Sequence, residues 1–337
     1  MRMKAARKYI KKCQNCGRKL VKNGQENGKQ RWRCLTCGTA RIHARADTTK
    51  RNQAKLRTRY LLSKQTGNEI SKSRGISRST FNRKYILRAT DSPIKPPFRC
   101  ADNHLTARPA IYLVADATSL NCEIVAIART KDGGLNWSYA RYESSDVWIR
   151  IFFSFNGVVA LVSDGQKGIH KAARICYGEQ LIMQRCHFHI KQNLRAKLTR
   201  NPKTEAGQDL ATLATWLCRV KEYDHMALFV GTFYGLSEAY EGFLKERTYY
   251  RTESGKLRWN YTHRQVRSAY RQIADLIESD QIFAYITHPE LQLPNTTNQI
   301  EGGLNARINE LICAHRGLLP ERQRELVNEF LWSKNVS

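Results

Sequence analysis

The chain has 337 residues and a formal net charge of +28, with 41% hydrophobic and 9% aromatic residues. That length allows two or three domains and a sizeable core, and the basic excess points to a polyanionic partner. No apolar run approaches the roughly 18 residues of a bilayer span, and ten cysteines in a chain this long are too few for a disulfide framework, so membrane-embedded and disulfide-stapled classes are excluded.

The charge is uneven. Residues 1–90 hold 26 Lys and Arg against Glu26, Asp47 and Glu69, a net +23, and the other 247 residues carry +5. Such asymmetry reads as a nucleic-acid-binding N-terminal part. Residues 1–12 are charged without an apolar stretch, so no secretory signal is expected, and the chain reads as intracellular.

Over residues 1–45, Cys13 and Cys16 form one C-x2-C and Cys34 and Cys37 a second, with 17 residues between the pairs. This spacing is that of a four-thiolate Zn²⁺ site: each short pair brings two sulfurs to one tetrahedral ion from one tight turn. Gly17 and Gly38 follow the second cysteine of each pair and suit the reversal. A zinc ribbon is predicted. Residues 50–90 follow as a helix-turn-helix. Leu56, Tyr60, Leu61 and Leu62 fit one amphipathic helix, Gly75 tightens a turn, and Ser77 caps the next helix. That last helix carries Arg78, Asn82, Arg83 and Lys84, placed to enter a major groove of double-stranded DNA. Residues 91–109, with four prolines, read as a linker.

From residue 110 to about 200 the pattern becomes α/β. Strands are predicted at 111–116, 122–128 and 135–143, a helix at 144–155, a buried parallel-type strand at 158–163, a helix at 167–177, a short strand at 180–184 and a basic helix at 187–198. A mixed sheet with helices on it follows, a succession compatible with a ribonuclease-H-like core. Residues 201–292 read as an all-helical insertion: Leu210, Leu213, Ala214 and Leu217 share one face, and Leu228, Phe229, Phe233, Leu236, Tyr240 and Phe243 another. Residues 293–337 return as C-terminal helices of the core.

Three acids lack an obvious ion partner. Asp116 interrupts the first core strand, Asp164 ends the buried strand, and Glu301 lies in the last helical segment. If the first and fourth strands are parallel neighbours, Asp116 and Asp164 meet at their C-terminal ends, and a helix across that edge brings Glu301 to them. Carboxylates so gathered repel one another and call for divalent metal, Mg²⁺ or Mn²⁺, two ions of which can clamp a phosphodiester. Taken singly, Asp164 also suits a turn and Glu301 a solvated helix face.

The blocks around these acids resemble those of Mutator-like insertion-sequence transposases. Val114-Ala115-Asp116-Ala117-Thr118 is similar to the family's first-Asp strand, and Val162-Ser163-Asp164-Gly165 to its second-Asp block. Cys186-His187-Phe188-His189 matches a C/D-x2-H signature, and Thr296-Thr297-Asn298-Gln299-Ile300-Glu301 a TTN-x2-E block. Asp164 and Glu301 stand 137 positions apart, where the family places a helical insertion. The resemblance implies a DDE transposase with a ribonuclease-H-like fold, which binds terminal inverted repeats and performs metal-dependent cleavage and strand transfer. Asp116, Asp164 and Glu301 would be its catalytic, metal-binding triad, and Cys186 and His189 a pair at the active-site edge. Lys191 and Arg195 would hold DNA backbone, with Asn305 and Arg316 as further phosphate contacts. A homodimer or larger assembly is expected, without a membrane, cytoplasmic and nucleoid-associated in a prokaryote. The sequence departs from many relatives in having Gly302-Gly303 after Glu301 where they have Arg; two glycines cost a helix about 1 kcal/mol each. The competing readings are a catalytically inactive DNA-binding regulator and a structure-specific nuclease of the same fold.

Overall fold

The computed structural model describes residues 12–13, 15–26, 29–42, 56, 59–60, 65–82, 108–109, 111–315 and 317–334. Contacts divide the chain into two units, Met1–Ser92 and Pro93–Ser337.

In the first unit each C-x2-C pair bends into a knuckle. Gly17 and Gly38 both have φ of +71°, and their N–H groups donate to the Cys13 and Cys34 carbonyls at 2.8 and 3.0 Å. Strands β1 (Leu20–Glu26), β2 (Lys29–Cys34) and β3 (Ala40–Ile42) form an antiparallel sheet in that order. Its small core is Cys13, Leu20 and Cys34 with Trp32 packed against them. Further on, α1 (Gly67–Ser73) opens with a capping box between Thr66 and Glu69. A turn at Gly75, φ +63°, leads to the short α2 (Arg78–Phe81), whose N-cap Ser77 accepts from the Thr80 N–H. Leu56, Tyr60, Ile70 and Phe81 are buried, and the Tyr60 and Phe81 rings meet edge to face at 5.4 Å. Leu61 and Leu62 lie outside the described residues.

The second unit is built on a five-stranded mixed sheet. Its strands are β5 (Tyr112–Ser119), β6 (Ile124–Thr130), β7 (Leu135–Ala140), β9 (Ala160–Ser163) and β10 (Ile182–Arg185), ordered β10-β9-β5-β6-β7. A two-residue parallel pair, β4 (Arg108–Pro109) with β8 (Phe155–Asn156), stands apart. The β6 strand runs antiparallel to β5 and β7, while β9 runs parallel to β5 and β10. Alternation along β5 sends Leu113 and Ala115 to a core shared with Trp148, Ile151 and Phe152 of α3 (Ser145–Phe152) and Ile169 and Ala172 of α4 (Lys167–Tyr177). Val114 and Asp116 therefore point to the other face.

A second core is helical. It joins α5 (His187–Leu198), α6 (Glu205–Leu217), α7 (Tyr223–Ala239), α8 (Glu241–Lys245), α9 (Arg264–Glu278) and α10 (Ala284–Thr287) through Ile190, Leu194, Leu210, Leu217, Phe229, Phe233 and Ile273, among others. Two features differ from the all-helical expectation for 201–292. Strands β11 (Arg247–Arg251) and β12 (Leu257–Tyr261) form an antiparallel hairpin inside that segment. Leu228 is exposed rather than sharing the buried face of Phe229 and Phe233.

The chain then returns to the sheet. Residues Gln299–Asn305 form a π-helical turn, followed by α11 (Ala306–Ala314) and α12 (Pro320–Lys334). Asn328 on α12 accepts from Trp137 Nε1 at 2.7 Å and from the Tyr139 hydroxyl at 2.8 Å, and Arg324 pairs with Glu123, which ties α12 to the β6–β7 side. Among the described residues no helix is long and apolar enough to cross a membrane.

Candidate active site

The parallel register of β5 on β9 matches Val114 to Val162. Two residues further on, Asp116 and Asp164 come level with each other on the sheet face away from the α3–α4 core. With His189 and Glu143 they line a cavity of about 610 Å³. Asp116 is only 6% exposed, and its Oδ2 accepts from Asn305 Nδ2 at 2.8 Å. Burial, with the nearby charges of Asp164 and Glu301, pushes its carboxyl up to about 7. Asp164 Oδ1 accepts from the Gln166 N–H at 3.0 Å, which closes the turn after β9. Gly165 there has φ +79°, and a Cβ on it would stand 1.7 Å from Arg185 Cζ, so the position takes neither another backbone nor a side chain.

Glu301 arrives on the π-helical turn. Its Oε2 lies 4.0 Å from His189 Nε2, so it stands next to a residue that lines the cavity. The wide turn spans Gly302 and Gly303, whose weak helical preference makes a regular α-turn least stable there. Regular α-helix resumes at Ala306.

Cys186, His189 and Glu301 have ligand atoms within 4.8 Å of one another. Cys186 is buried at the N-cap of α5, where the Thr297 N–H and Oγ1 donate to its sulfur at 3.3 and 3.4 Å. Burial raises this thiol, but interaction with His189 and the Thr297 donors outweigh it and hold it below its ordinary value. His189 is pushed up to about 9 by the Cys186 sulfur, against desolvation, with Asp116 and Glu301 adding to the rise. The two shifts run in opposite directions, the thiol held low and the imidazole held high, so each group favours the charged form of the other.

Two members of the site have roles that the sequence pattern does not indicate. Glu143, just before α3, takes a hydrogen bond from Trp148 Nε1 at 3.0 Å, and burial with the Asp164 charge raises its pKa. Asn305, expected to meet phosphates, is buried and bound to Asp116 instead. Other expected contacts are placed differently. At about 100° per residue, Lys191 sits on the opposite side of α5 from His189, and Arg195 on a separate flank; Asn193 follows His189 along the cavity side. The Arg78 guanidinium lies against Gly67 and 5.9 Å from the Phe81 ring, packed within its unit rather than presented outward. Asn82 is the C-cap of α2. Arg83, Lys84 and Arg316 lie outside the described residues.

In the first unit the four zinc-spaced thiols converge. Cys13 to Cys37, Cys16 to Cys34 and Cys16 to Cys37 are 3.6, 3.4 and 3.5 Å apart, sulfur to sulfur. A tetrahedron with Zn–S bonds of about 2.3 Å has edges of about 3.8 Å, so the cluster is of the size to hold Zn²⁺. Hydrogen bonds from Thr39 draw Cys37 down to about 6, toward the thiolate a metal needs.

The mixed α/β sheet thus brings two acids to one cavity, and a separate cluster of four thiols in the first unit could hold a metal ion. Residues 112–216, the stretch from β5 to α6, match the family model described as "Transposase, Mutator family". No curated protein sequence matches the chain. Among solved structures it is similar to the catalytic core domain of BIV integrase, at 15% identity and a TM-score of 0.20, covering 49% of this chain and 99% of that one.

Proposed function

We propose that the protein is the DDE transposase of an insertion sequence. In this reading the zinc ribbon of 1–45 and the helix-turn-helix of 50–90 bind terminal inverted repeats. A ribonuclease-H-like core, 110–200 with 293–337, cuts and joins DNA, and 201–292 is an insertion into it. The observation that supports the reading is that Asp116 and Asp164 line one cavity and Glu301 stands beside His189, which lines it too, although the three acids come from distant parts of the chain.

The donor set suits Mg²⁺ or Mn²⁺. Oxygen ligands from carboxylates are the ligands of hard cations, and the upward shift of Asp116, which comes first from burial, is added to by the neighbouring acids Asp164 and Glu301. Asp116, Asp164 and Glu301 would hold the ions, which when bound supply Lewis-acid polarisation of phosphoryl oxygens and a nucleophile at neutral pH. The remaining roles fall to side chains. Asn305 fixes the Asp116 carboxylate through Oδ2. His189, protonated at neutral pH, places positive charge where a phosphate oxygen must sit, and Thr297 steadies it by holding Cys186. Glu143, held at Oε1 by Trp148, keeps a proton more readily than a free carboxylate.

The test uses DNA bearing the inverted repeats that flank the reading frame. Asp116→Ala, Asp164→Ala and Glu301→Ala proteins should bind these ends and fail to nick or join them in Mg²⁺. An alanine variant that still joins ends removes its acid from the triad.

A further inference from the structure

A second cavity, of about 780 Å³, lies between α5 and α9 in the same unit. Arg185, Lys197, Arg264, Arg267 and Arg271 line it against a single acid, Asp275. Lys197 donates to the Ser268 carbonyl at 3.2 Å and Arg267 to the Leu244 carbonyl at 3.1 Å. Arg264 and Arg271 are exposed and make no hydrogen bond or ion pair among the described residues. Arg185 is the most telling: its Nε is buried without a hydrogen-bond partner, and its guanidinium rests on Gly165, next to Asp164. Like charges drawn together and left unpaired need an anion to complete them.

The cleft continues at both ends. Asn193 lines it and also lines the carboxylate cavity. At the other end Tyr261, the last residue of β12, joins it to the hairpin. That hairpin is exposed along both strands apart from Tyr261. Alternation puts Arg247, Tyr249, Trp259 and Tyr261 on one face, where Tyr249 pairs across to Trp259. The Arg247 guanidinium stands 4.1 Å from the Trp259 ring centre, and that of Arg267 4.0 Å from the Tyr261 ring. An arginine-laced aromatic face left open to water at the mouth of a cationic cleft is the pattern of a stacking platform beside a phosphate track.

We propose that this cleft and hairpin face hold one unpaired strand of the DNA substrate as it leaves the carboxylate site, with phosphates on Arg185, Arg264 and Arg271 and bases on Trp259 and Tyr249. The proposal rests on the transposase reading for its substrate class. Exposed aromatic rings such as Tyr249 and Trp259 serve bases that are not paired.

The experiment measures binding of the full chain to fluorescein-labelled oligothymidylate and to a mixed-sequence duplex across a salt series. For a single strand each phosphate contact contributes about 0.7 to the slope of log affinity against log salt, so R264E with R271E should flatten that slope by about 1.4. The duplex slope should stay as it is. R264K with R271K should keep the wild-type slope, and W259A should weaken single-strand binding roughly tenfold or more. Arg264 and Arg271 support no other group, and an unchanged circular dichroism spectrum checks the fold. An unchanged single-strand slope in the double charge reversal overturns the proposal, whatever the acid variants do in strand transfer. Equal flattening on strand and duplex also overturns it. A selective loss upholds it even if an acid variant proves active, because this binding does not draw on the carboxylates.

Discussion

Asp116→Asn removes a charge from the carboxylate cluster while keeping the shape of the side chain and an oxygen for Asn305 to bond. Asp116 stands at about 7 in the folded chain against an ordinary 3.8, through burial first and then through Asp164 and Glu301. At about 1.4 kcal/mol for each pH unit of displacement, ionising it in the folded protein costs about 4 kcal/mol. Between the two values the folded state binds more protons than the unfolded one, so proton loss there favours unfolding. The contribution of this group is least harmful near pH 4, stability falls as pH climbs through the window to about 7, and the loss is level above it. The Asn variant escapes the cost. In magnesium-free buffer it should unfold at higher urea than the wild type, by the equivalent of about 4 kcal/mol at about pH 8, about 2 kcal/mol at about pH 5 and about 0.6 kcal/mol at about pH 4. Tryptophan fluorescence follows the transition. An advantage that is the same at both ends of the range, or a variant less stable at the alkaline end, would refute the upward shift of Asp116 and its origin in burial.

Other perturbations read other parts of the account. Asn305→Leu removes the donor to Asp116 Oδ2, a bond to a charged group worth about 1.5–3 kcal/mol; strand transfer should need more Mg²⁺, and its pH–rate profile should shift to higher pH. Trp148→Phe keeps the stack on Phe152 but loses the bond to Glu143, and should cost about 1–2 kcal/mol by urea unfolding, whereas Trp148→Ala, at a fully buried position, should cost about 3–5 kcal/mol. If Cys13, Cys16, Cys34 and Cys37 hold a metal, Cys37→Ser or a chelator should abolish duplex binding while the circular dichroism of the five-stranded unit persists; Co²⁺ loading, read by thiolate charge-transfer absorption, should fail in the same variant.

Much of this architecture is legible where hydrophobic pattern and burial agree. Helices α4 and α5 fall on the predicted 167–177 and 187–198, and the parallel pairing that levels Asp116 with Asp164 follows from two apolar strand runs. The knuckle glycines are where metal spacing needs them. The β11–β12 hairpin, which turns at Gly255 with φ +76°, is not legible in the sequence because both its strands are exposed and no apolar alternation marks a strand that buries almost nothing. Glu143 and Asn305 each act through a partner far away in sequence, Asp164 or Asp116, and such pairings leave no local period, so the residue pattern gives no sign of Glu143 and offers Asn305 only as a phosphate contact. Lys191 and Arg195 were chosen for their charge and their nearness to His189, yet helical rotation carries them away from it, while Asn193 and Lys197 come round to the two cavities. The π-helical turn at Glu301 has a visible cause in Gly302 and Gly303, but not a visible form.

The central claim is that three acids from separate segments hold divalent cations together. Titration of the protein with Mn²⁺, read by the loss of its free-ion electron paramagnetic resonance signal, tests that most directly. Wild-type protein should bind the ion, and D116N, D164N and E301Q should each lose most of that binding; an E301Q protein that takes up Mn²⁺ as the wild type does would contradict the claim.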